Sequence, residues 1–501
     1  MKISFITKLE QPNGINAAIL LQVQKENKLF GLEKVDPKNI IKKSYEVENF
    51  EGTWGSQIKL LSLEASPYSC VTVLGLGKKE EITNKNWLKI GGICYDAIKK
   101  NKKVVIFADA LGASVTETQI MNLVLGILLK SYSFDRYHTY KKENTNTNSI
   151  ANSNLEIKVV TQKVDACQKK MQEIKAIAEG VNLSKELINE PANILGTKEF
   201  VQKIKELETM GIEVEVLEAP QLKQLQMNAL LAVAQGSDRP PYLVVMKWKG
   251  DQTSQESQPL SVVGKGVVFD SGGISIKPSF KMQEMKSDMG GAAVVVGLMH
   301  TLATRKAQVN VIGIVGLVEN MVSSKAQRPG DIVTSMSGQT IEVVNTDAEG
   351  RMVLCDALWY CKTVIKPQLI IDLATLTGAI QVALGKEYAG LFANNDNLAK
   401  QLIQSGKNTS EKIWQLPLDK KYDQLIDSQF ADMTNSVCGG AGSITAAQFL
   451  KRFVGDLIPW AHIDIAGVCL QPKNEFNNSW ASGFGVRLLN DLIKTYYEKN
   501  D

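Results

Sequence analysis

Histidine is scarce in this 501-residue chain, which has only three, at positions 138, 300 and 462. No H-E-x-x-H motif occurs, so the chain does not hold zinc in the manner of the histidine-based zinc proteases. The seven cysteines are an odd number, and none forms a C-x-x-C pair. These absences argue against a disulfide-framed secreted domain and a cysteine-built zinc site, and they favour reduced thiols in a cytoplasmic protein.

The chain also lacks a long apolar run and a strong charge of one sign. Its longest apolar stretch, around residues 123–129, falls far short of the roughly 20 residues of a membrane-spanning helix. The 57 Lys and Arg residues nearly balance the 53 Asp and Glu residues, which argues against a protein built to coat nucleic acid or an anionic membrane. The opening residues lack the apolar core of a signal peptide, and we expect a strand there.

Short β-branched runs alternate with segments of helical spacing, which predicts α/β domains. The predicted strands lie at 71–76, 104–107, 155–160, 212–217, 243–247, 260–263, 309–315 and 369–371, and the first predicted helices lie at 87–100 and 117–132. The length is sufficient for two or three hydrophobic cores. We therefore predict a smaller N-terminal α/β domain and a larger C-terminal α/β domain.

The domain boundary is expected near the helix breaker Pro191, where a long amphipathic run ends. The segment 141–154, KKENTNTNSIANSN, predicts an exposed loop within the first domain, because the strand after it returns to the first sheet. We predict an N-terminal domain at 1–165, a connecting helix at 166–188 and a C-terminal domain at 189–501. Many of the 38 glycines cluster in the last of these, which indicates close approach of backbone to a ligand.

Two segments concentrate the side chains that could carry chemistry. Residues 263–293 contain Lys265, Asp270, Lys277 and Asp288. Residues 345–351, NTDAEGR, contain Asp347, Glu349 and Arg351, which would share one face if the chain there is extended. Neighbouring carboxylates repel one another unless a cation lies between them, so this set would suit two divalent cations that share a bridging hydroxide.

Less specific interpretations of the same residues stay open at this point. A charged i, i+2, i+4 triplet is typical of a solvated strand face, and a lysine between two glycines, such as Lys265, is typical of a turn. Asp288 could be a surface residue. The segment 270–273, DSGG, suggests a serine protease, but the catalytic histidine and aspartate that would have to precede it are not credible here.

The segment NTDAEGRMVLCDAL resembles the signature of the leucyl aminopeptidase family, two-metal cytosolic exopeptidases also called cytosol aminopeptidases or aminopeptidase A. Further blocks similar to the family, in family order, are NEPAN, VGKGVVFDSGGISIKP, EMKSDMGGAA, VGLVENM, RPGD, SMSGQTIEV, DLATLTGA, GAGSITAAQFL, WAHIDIAG and ASGFGVRLL. The resemblance covers Ile177 to Leu489, whereas residues 1–160 resemble the family only in general pattern.

The resemblance implies a ligand set for two divalent metal ions. Asp270 and Glu349 would bridge both ions, Lys265 and Asp288 would complete the tightly held site, and Asp347 would complete the exchangeable one. Lys265 would have to be neutral, which two adjacent dications allow. Mn²⁺ or Mg²⁺ suits the looser site, and Zn²⁺ would win on affinity where it is available.

The resemblance also implies the chemistry of a metallo-aminopeptidase that removes the N-terminal residue of peptides with a water bridging two metals. Lys277 would stabilise the oxyanion of the tetrahedral intermediate, and Arg351 would hold a bicarbonate that acts as general base. The implied substrate-binding residues are Thr375, Leu376 and Gly378 along the cleft and Met285, Ala466 and Cys469 in the first side-chain pocket. That pocket implies a preference for Leu- or Met-like residues, although simple core packing would explain the last three equally well.

The family further implies that 189–501 is a metallopeptidase catalytic domain with a mixed central sheet and that 1–165 has an oligomer and regulatory role. It also implies a homohexamer in the cytoplasm. Two alternatives remain. A DNA-binding accessory or regulatory protein on the same fold would need a basic stripe, for which Lys99, Lys100, Lys102 and Lys103 offer one short run. A two-metal phosphohydrolase would fit the carboxylates but not a metal-ligating lysine. Every proposed ligand position is intact, which favours an active enzyme.

Overall fold

The computed structural model describes residues 1–9, 14–26, 29–36, 38–64, 66–139, 155–251 and 258–499. The chain divides into two compact units, Met1–Ala178 with Lys473–Ser479 and Glu179–Pro472 with Trp480–Asp501. The loop predicted at 141–154 lies outside the described residues, and the domain limits 1–165, 166–188 and 189–501 stay predictions. None of the helices in these ranges combines the length and apolar character needed to cross a bilayer.

The first unit contains one parallel sheet with a single antiparallel edge. Its strands are β1 (Lys2–Ile6), β2 (Ala17–Gln22), β3 (Gln57–Leu61), β4 (Cys70–Gly75), β5 (Lys103–Phe107) and β6 (Glu156–Val160). Its helices are α1 (Leu32–Val35), α2 (Ile40–Glu48), α3 (Asn84–Ile98), α4 (Glu117–Lys130) and the first part of α5 (Val164–Asn189). The strand order is β1-β6-β5-β2-β4-β3, so the strand predicted at 155–160 does return to this sheet.

Helices α3 and α4 pack unusually close together on one face of this sheet. Each has a glycine at the crossing, and a Cβ on Gly91 would lie 2.0 Å from the Leu123 carbonyl oxygen. Threonine caps start both helices, since Thr83 and Thr116 each accept a hydrogen bond from the backbone N–H three residues later. The predicted helices 87–100 and 117–132 therefore begin and end within a few residues of the observed ones.

The second unit is built on a mixed eight-stranded sheet. The strands of the unit, which include three outside this sheet, are β7 (Glu213–Leu217), β8 (Tyr242–Lys249), β9 (Leu260–Asp270), β10 (Asn310–Asn320), β11 (Ile332–Thr334), β12 (Thr340–Glu342), β13 (Leu369–Ala374), β14 (Ala389–Ala393), β15 (Ile413–Gln415), β16 (Met433–Thr434) and β17 (Trp460–Asp464). Its helices after α5 are α6 (Thr197–Lys205), α7 (Ala219–Gln224), α8 (Asn228–Ala234), α9 (Gly290–Thr304), α10 (Glu349–Tyr360), α11 (Gly378–Leu384), α12 (Asp396–Thr409), α13 (Lys420–Gln424), α14 (Gly442–Val454) and α15 (Val486–Tyr496).

The strand order in the main sheet is β15-β14-β17-β13-β9-β10-β8-β7, and β11, β12 and β16 form a small separate sheet. The four central strands β17, β13, β9 and β10 run parallel, whereas β8 and β14 are antiparallel to their inner neighbours. Parallel strands bring their carboxyl ends to one edge of a sheet, which is where ligands bind in open α/β folds. The two-domain α/β architecture with a mixed central sheet is confirmed.

Candidate metal centre and substrate cleft

Lys265 lies in the middle of β9, not in a turn, and its side chain is buried. Glycines flank it because helix α9 crosses directly above: a Cβ on Gly264 would lie 2.7 Å from the Cα of Ala292. The Lys265 Nζ is 2.8 Å from both Asp288 Oδ1 and Glu349 Oε1, and it donates a hydrogen bond of 2.9 Å to the Thr375 carbonyl oxygen. The interpretation of Lys265 as a turn residue is therefore wrong, because the residue lies inside a strand and is buried.

Asp270 is the last residue of β9, a strand that extends well beyond the predicted end at residue 263. Its Oδ1 accepts hydrogen bonds of 2.9 Å from the Gly272 N–H and 2.8 Å from Asn320 Nδ2. Its Oδ2 is 2.7 Å from Lys277 Nζ, which in turn is 2.5 Å from Asp347 Oδ1. Gly272 has a φ of 87°, the left-handed conformation that favours glycine, and this turn brings Lys277 back beside the strand end.

The segment 345–351 is not extended, so the strand-face arrangement of its charged residues is wrong. Asp347 lies in a turn, and helix α10 begins at Glu349. A carboxylate at the first position of a helix interacts favourably with the unpaired N–H groups there. The helical backbone sends Arg351 elsewhere: its Nη1 donates a 2.6 Å hydrogen bond to the Asn435 carbonyl oxygen, and the residue is buried.

One oxygen from each of Asp270, Asp347 and Glu349 lies within 4.8 Å of the others, a spacing that suits a shared cation. One further observation fits a metal. Asp288 Oδ2 is buried and accepts no hydrogen bond from the described residues. Buried carboxylate oxygens without donors are costly, and divalent cations are the usual partners of such groups. The donor set of four carboxylates and one amine therefore fits divalent metal ions.

The charges of this cluster perturb one another strongly. Burial raises the pKa of Asp270 to about 7, an effect increased by the neighbouring Glu349 carboxylate and opposed by Lys277 and Lys265. Burial likewise raises the pKa of Asp288 well above its usual value. For Glu349, burial is outweighed by the two lysines, which hold its pKa below the usual value. The lysine ammonium groups thus neutralise much, but not all, of the crowded negative charge.

A pocket of about 290 Å³ opens onto this cluster. Every predicted metal-binding and substrate-binding residue lines it, as does Lys277: Lys265, Asp270, Asp288, Asp347, Glu349, Met285, Thr375, Leu376, Gly378, Ala466 and Cys469. Arg351 is the exception, because it does not line the pocket and its Nη1 instead binds the Asn435 carbonyl oxygen. The two segments of predicted residues therefore do meet in space, a point that spacing alone did not establish.

Several polar residues of this region were missed from the sequence. Asn320 ends β10 and binds Asp270, and Asp464 ends β17 and binds the backbone of Leu376. Lys281 and Lys386 line the outer part of the pocket. The sequence could have indicated Asn320 and Asp464, because each is a polar residue at the carboxyl end of an apolar strand. That end of a strand is the edge of the sheet where ligands bind.

Carboxylates and lysines that cluster near the carboxyl ends of parallel strands would suit a metal-dependent hydrolase. The comparisons with known proteins narrow this class. Residues 182–490 match the cytosol aminopeptidase family, catalytic domain, and residues 19–141 match the N-terminal domain of the same family. The chain belongs to the cytosol aminopeptidase family, and it is a peptidase, a metallo-aminopeptidase.

Similar proteins cover the whole chain. A protein of Phytoplasma mali (strain AT) named "Probable cytosol aminopeptidase" is 66% identical over 100% of both chains. One of the same name from Sinorhizobium fredii is 52% identical over 99% of both. Among solved structures, a mutant of tomato leucine aminopeptidase has a TM-score of 0.85 at 32% identity and covers 98% of this chain and 96% of its own. The bottromycin maturation enzyme in complex with Mn has a TM-score of 0.83 at 29% identity, with coverages of 96% and 99%.

Proposed function

We propose that the protein removes the N-terminal residue of peptides, with a preference for Leu- and Met-like residues, at the pocket described above. Two divalent cations, Mn²⁺ or Zn²⁺, would be held by Asp270, Asp288, Asp347 and Glu349 with Lys265. When bound, they would supply a hydroxide at neutral pH and polarise the scissile carbonyl. The observation that carries this proposal is the convergence of three carboxylate oxygens within 4.8 Å, with Lys277 beside them in an open pocket.

Lys277 would bind the developing oxyanion of the substrate. Its Nζ lies at the edge of the carboxylate cluster, and its side chain is about one-fifth exposed toward the pocket, whereas that of Lys265 is almost fully buried. Burial lowers the pKa of Lys277, but the neighbouring carboxylates outweigh burial and raise the pKa above its usual value; they are Asp270, Glu349, Asp288 and Asp347. A positioned ammonium stabilises negative charge that develops on the substrate carbonyl oxygen in the transition state.

Arg351 would hold a bicarbonate, which would supply a general base. The support for this role is that its buried Nε has no hydrogen-bond partner within the described residues, so one guanidinium N–H is free to bind an anion. Burial lowers the pKa of Arg351 to about 10, but the side chain still carries its charge at neutral pH.

Substrate selection would fall to the walls of the pocket. Thr375, Leu376 and Gly378 would contact the peptide backbone, and Met285, Ala466 and Cys469 would surround the first side chain. Cys469 makes the deep end compact, since a Cβ on Gly290 would already lie 2.6 Å from its Sγ. An apolar, enclosed end of this kind favours an aliphatic or thioether side chain.

A hexameric assembly, a cytoplasmic location and a regulatory role of the N-terminal domain complete the proposal. The DNA-binding alternative lacks comparable support. In its basic run, Lys99 is 2.8 Å from Asp96 and Lys103 is 3.7 Å from Glu156, so part of the charge is neutralised locally. No specific observation favours the alternative over the peptidase.

The proposal is tested by release of p-nitroaniline from leucine-p-nitroanilide, measured with and without added Mn²⁺. We expect Mn²⁺-stimulated turnover that Lys277→Ala loses. Lys325→Ala, at an exposed lysine of the loop after β10, serves as the matched control and should retain turnover. Absence of activity with every divalent metal, in a folded protein, would refute the proposal, as would hydrolysis of phosphate esters in place of amides.

A further inference from the structure

Asp464 is a fully buried carboxylate behind the substrate cleft that the chemistry above does not use. It is the last residue of β17 and lies in register with Ala374, the last residue of the parallel neighbour β13. The chain leaves both strands at this edge. One exit forms the cleft segment 375–378, and the other forms the pocket segment 466–469.

The two oxygens of Asp464 bind both of these segments. Oδ1 accepts hydrogen bonds of 3.2 Å from the Leu376 N–H and 3.1 Å from the Ala466 N–H. Oδ2 accepts a 2.7 Å hydrogen bond from the Thr377 hydroxyl. The Thr377 Oγ1 also accepts from the Ile380 N–H at 3.1 Å and thereby caps helix α11, so Asp464 holds the start of that helix as well.

The opposite side of segment 375–378 is tied to the metal centre. The Thr375 hydroxyl donates a 2.7 Å hydrogen bond to Asp288 Oδ1, and its carbonyl oxygen accepts from Lys265. The segment is thus fixed between proposed metal ligands on one side and Asp464 on the other. Since the pocket residues Ala466 and Cys469 follow Asp464 by two and five positions, the same carboxylate sets where the other wall begins.

We propose that Asp464 is a positioning residue of the substrate cleft, whose carboxylate joins the segments 375–378 and 466–469 and sets the separation of the two walls that contact the first side chain. This inference rests on the proposed aminopeptidase function. A group that sets wall separation matters more for a side chain that reaches the walls, such as leucine, than for alanine, which does not.

The decisive variant is Asp464→Asn, which keeps the size of the side chain but replaces one acceptor oxygen with a donor. We expect kcat/KM for leucine-p-nitroanilide to fall by on the order of 10- to 100-fold. The ratio of kcat/KM for the leucine over the alanine anilide should fall about tenfold, because leucine loses contacts that alanine never makes. Bound Mn²⁺ per subunit, measured by mass spectrometry after dialysis, should stay at the wild-type value.

Asp372→Asn is the matched control. Asp372 is also a fully buried carboxylate on the neighbouring strand β13, but its partners are Trp460 Nε1 at 2.7 Å and His462 Nδ1 at 2.5 Å, and none of these lines the pocket. This variant should lower the unfolding temperature without changing the leucine-to-alanine ratio. A purely structural role for Asp464 would give both variants the same behaviour, and an Asp464→Asn protein with the wild-type ratio would overturn the proposal.

A second pair of variants covers the case in which Asp464→Asn does not fold. Thr377→Val removes the hydroxyl that binds Asp464 and should lower the leucine-to-alanine ratio of kcat/KM. Thr377→Ser retains the hydroxyl and should keep that ratio at the wild-type value. If the wild-type protein cleaves neither anilide, the proposed function has failed, but amide hydrogen exchange over 375–384 and 465–470 still tests the positioning role. Exchange there should be faster in Asp464→Asn than in Asp372→Asn, and equal rates would overturn the inference.

Discussion

The two lysines of the metal centre make similar contacts, yet the structure predicts different consequences when each is replaced by methionine: lost turnover for Lys277, and lost metal binding and stability for Lys265. Lys265 Nζ lies 2.8 Å from two carboxylates, and Lys277 Nζ lies 2.7 and 2.5 Å from two others. Their surroundings differ, because the Lys265 side chain is 3% exposed and that of Lys277 is 20% exposed. Lys265 can therefore act only within the cluster, whereas Lys277 can reach a substrate.

Lys277→Met removes a donor to the oxyanion and should lower kcat by about 10²- to 10³-fold, equivalent to about 3–4 kcal/mol of transition-state stabilisation. Bound metal should be retained, because Lys277 is not a proposed ligand. Lys265→Met removes a proposed ligand and leaves the buried Asp288 and Glu349 without their counter-charge. We expect about 10- to 100-fold weaker metal binding, and a loss of about 3–5 kcal/mol in the unfolding free energy measured with EDTA present.

The assay measures three quantities on each variant: Mn²⁺ per subunit after dialysis, kcat at saturating Mn²⁺, and the free energy of unfolding in urea with and without EDTA. Lys325→Met, at an exposed lysine, provides the baseline for replacing a charged residue. The reasoning would be refuted if Lys277→Met lost its metal as Lys265→Met does. It would also be refuted if Lys265→Met bound metal as tightly as the wild type.

Three further predictions concern the second unit. Burial raises the pKa of Asp356 to about 7, so between pH 4 and 7 the folded protein holds a proton that the unfolded chain has released. The unfolding free energy of the wild type, relative to Asp356→Asn, should therefore fall by about 2–3 kcal/mol between pH 5 and 8, and a constant difference in urea titrations would contradict this. Gly264→Ala would place its Cβ 2.7 Å from a Cα of helix α9 and should cost about 1–3 kcal/mol. Gly378→Ala, whose Cβ meets nothing within 4 Å, should change the unfolding temperature little, and equal shifts for the two would count against the packing argument. Glu498→Gln breaks a largely buried ion pair in which both carboxylate oxygens lie within 2.8 Å of the Arg305 Nη1, and a loss of about 3 kcal/mol is expected by chemical denaturation.

The kinds of residue at the site, and their order along the chain, could be predicted from the sequence. Asp270, Asp288, Asp347 and Glu349 stood out because clustered carboxylates without histidines indicate an oxygen-rich metal site. The alternation of strands and helices likewise predicted the α/β class, since buried parallel strands appear as short apolar runs. These inferences depend on composition and local periodicity, which are properties of the chain itself.

The local backbone around these residues was predicted less well. Lys265 between two glycines is typical of a turn, yet it lies within β9, where the glycines admit helix α9 and do not serve a turn. The i, i+2, i+4 spacing of Asp347, Glu349 and Arg351 suggested one strand face. Because helix α10 begins at Glu349, Arg351 instead donates a hydrogen bond to the Asn435 carbonyl oxygen. For Lys265, a long-range packing contact that is absent from the local sequence decided the conformation.

The sequence by itself determined which side chains are available for chemistry, because residue type fixes charge, basicity and ligand preference. The tertiary structure decided which of them meet. Parallel pairing of β9, β13 and β17 brings the exits of these strands to one edge. Asp270 and Thr375 therefore line one pocket and Asp464 is buried behind it, although these residues are up to 194 positions apart (464 − 270). The tertiary structure also places residues 473–479 with the first unit, where Lys89 Nζ lies 2.6 Å from Glu475 Oε1. Such groupings arise from strand pairing and close packing between distant segments, and no local pattern encodes them.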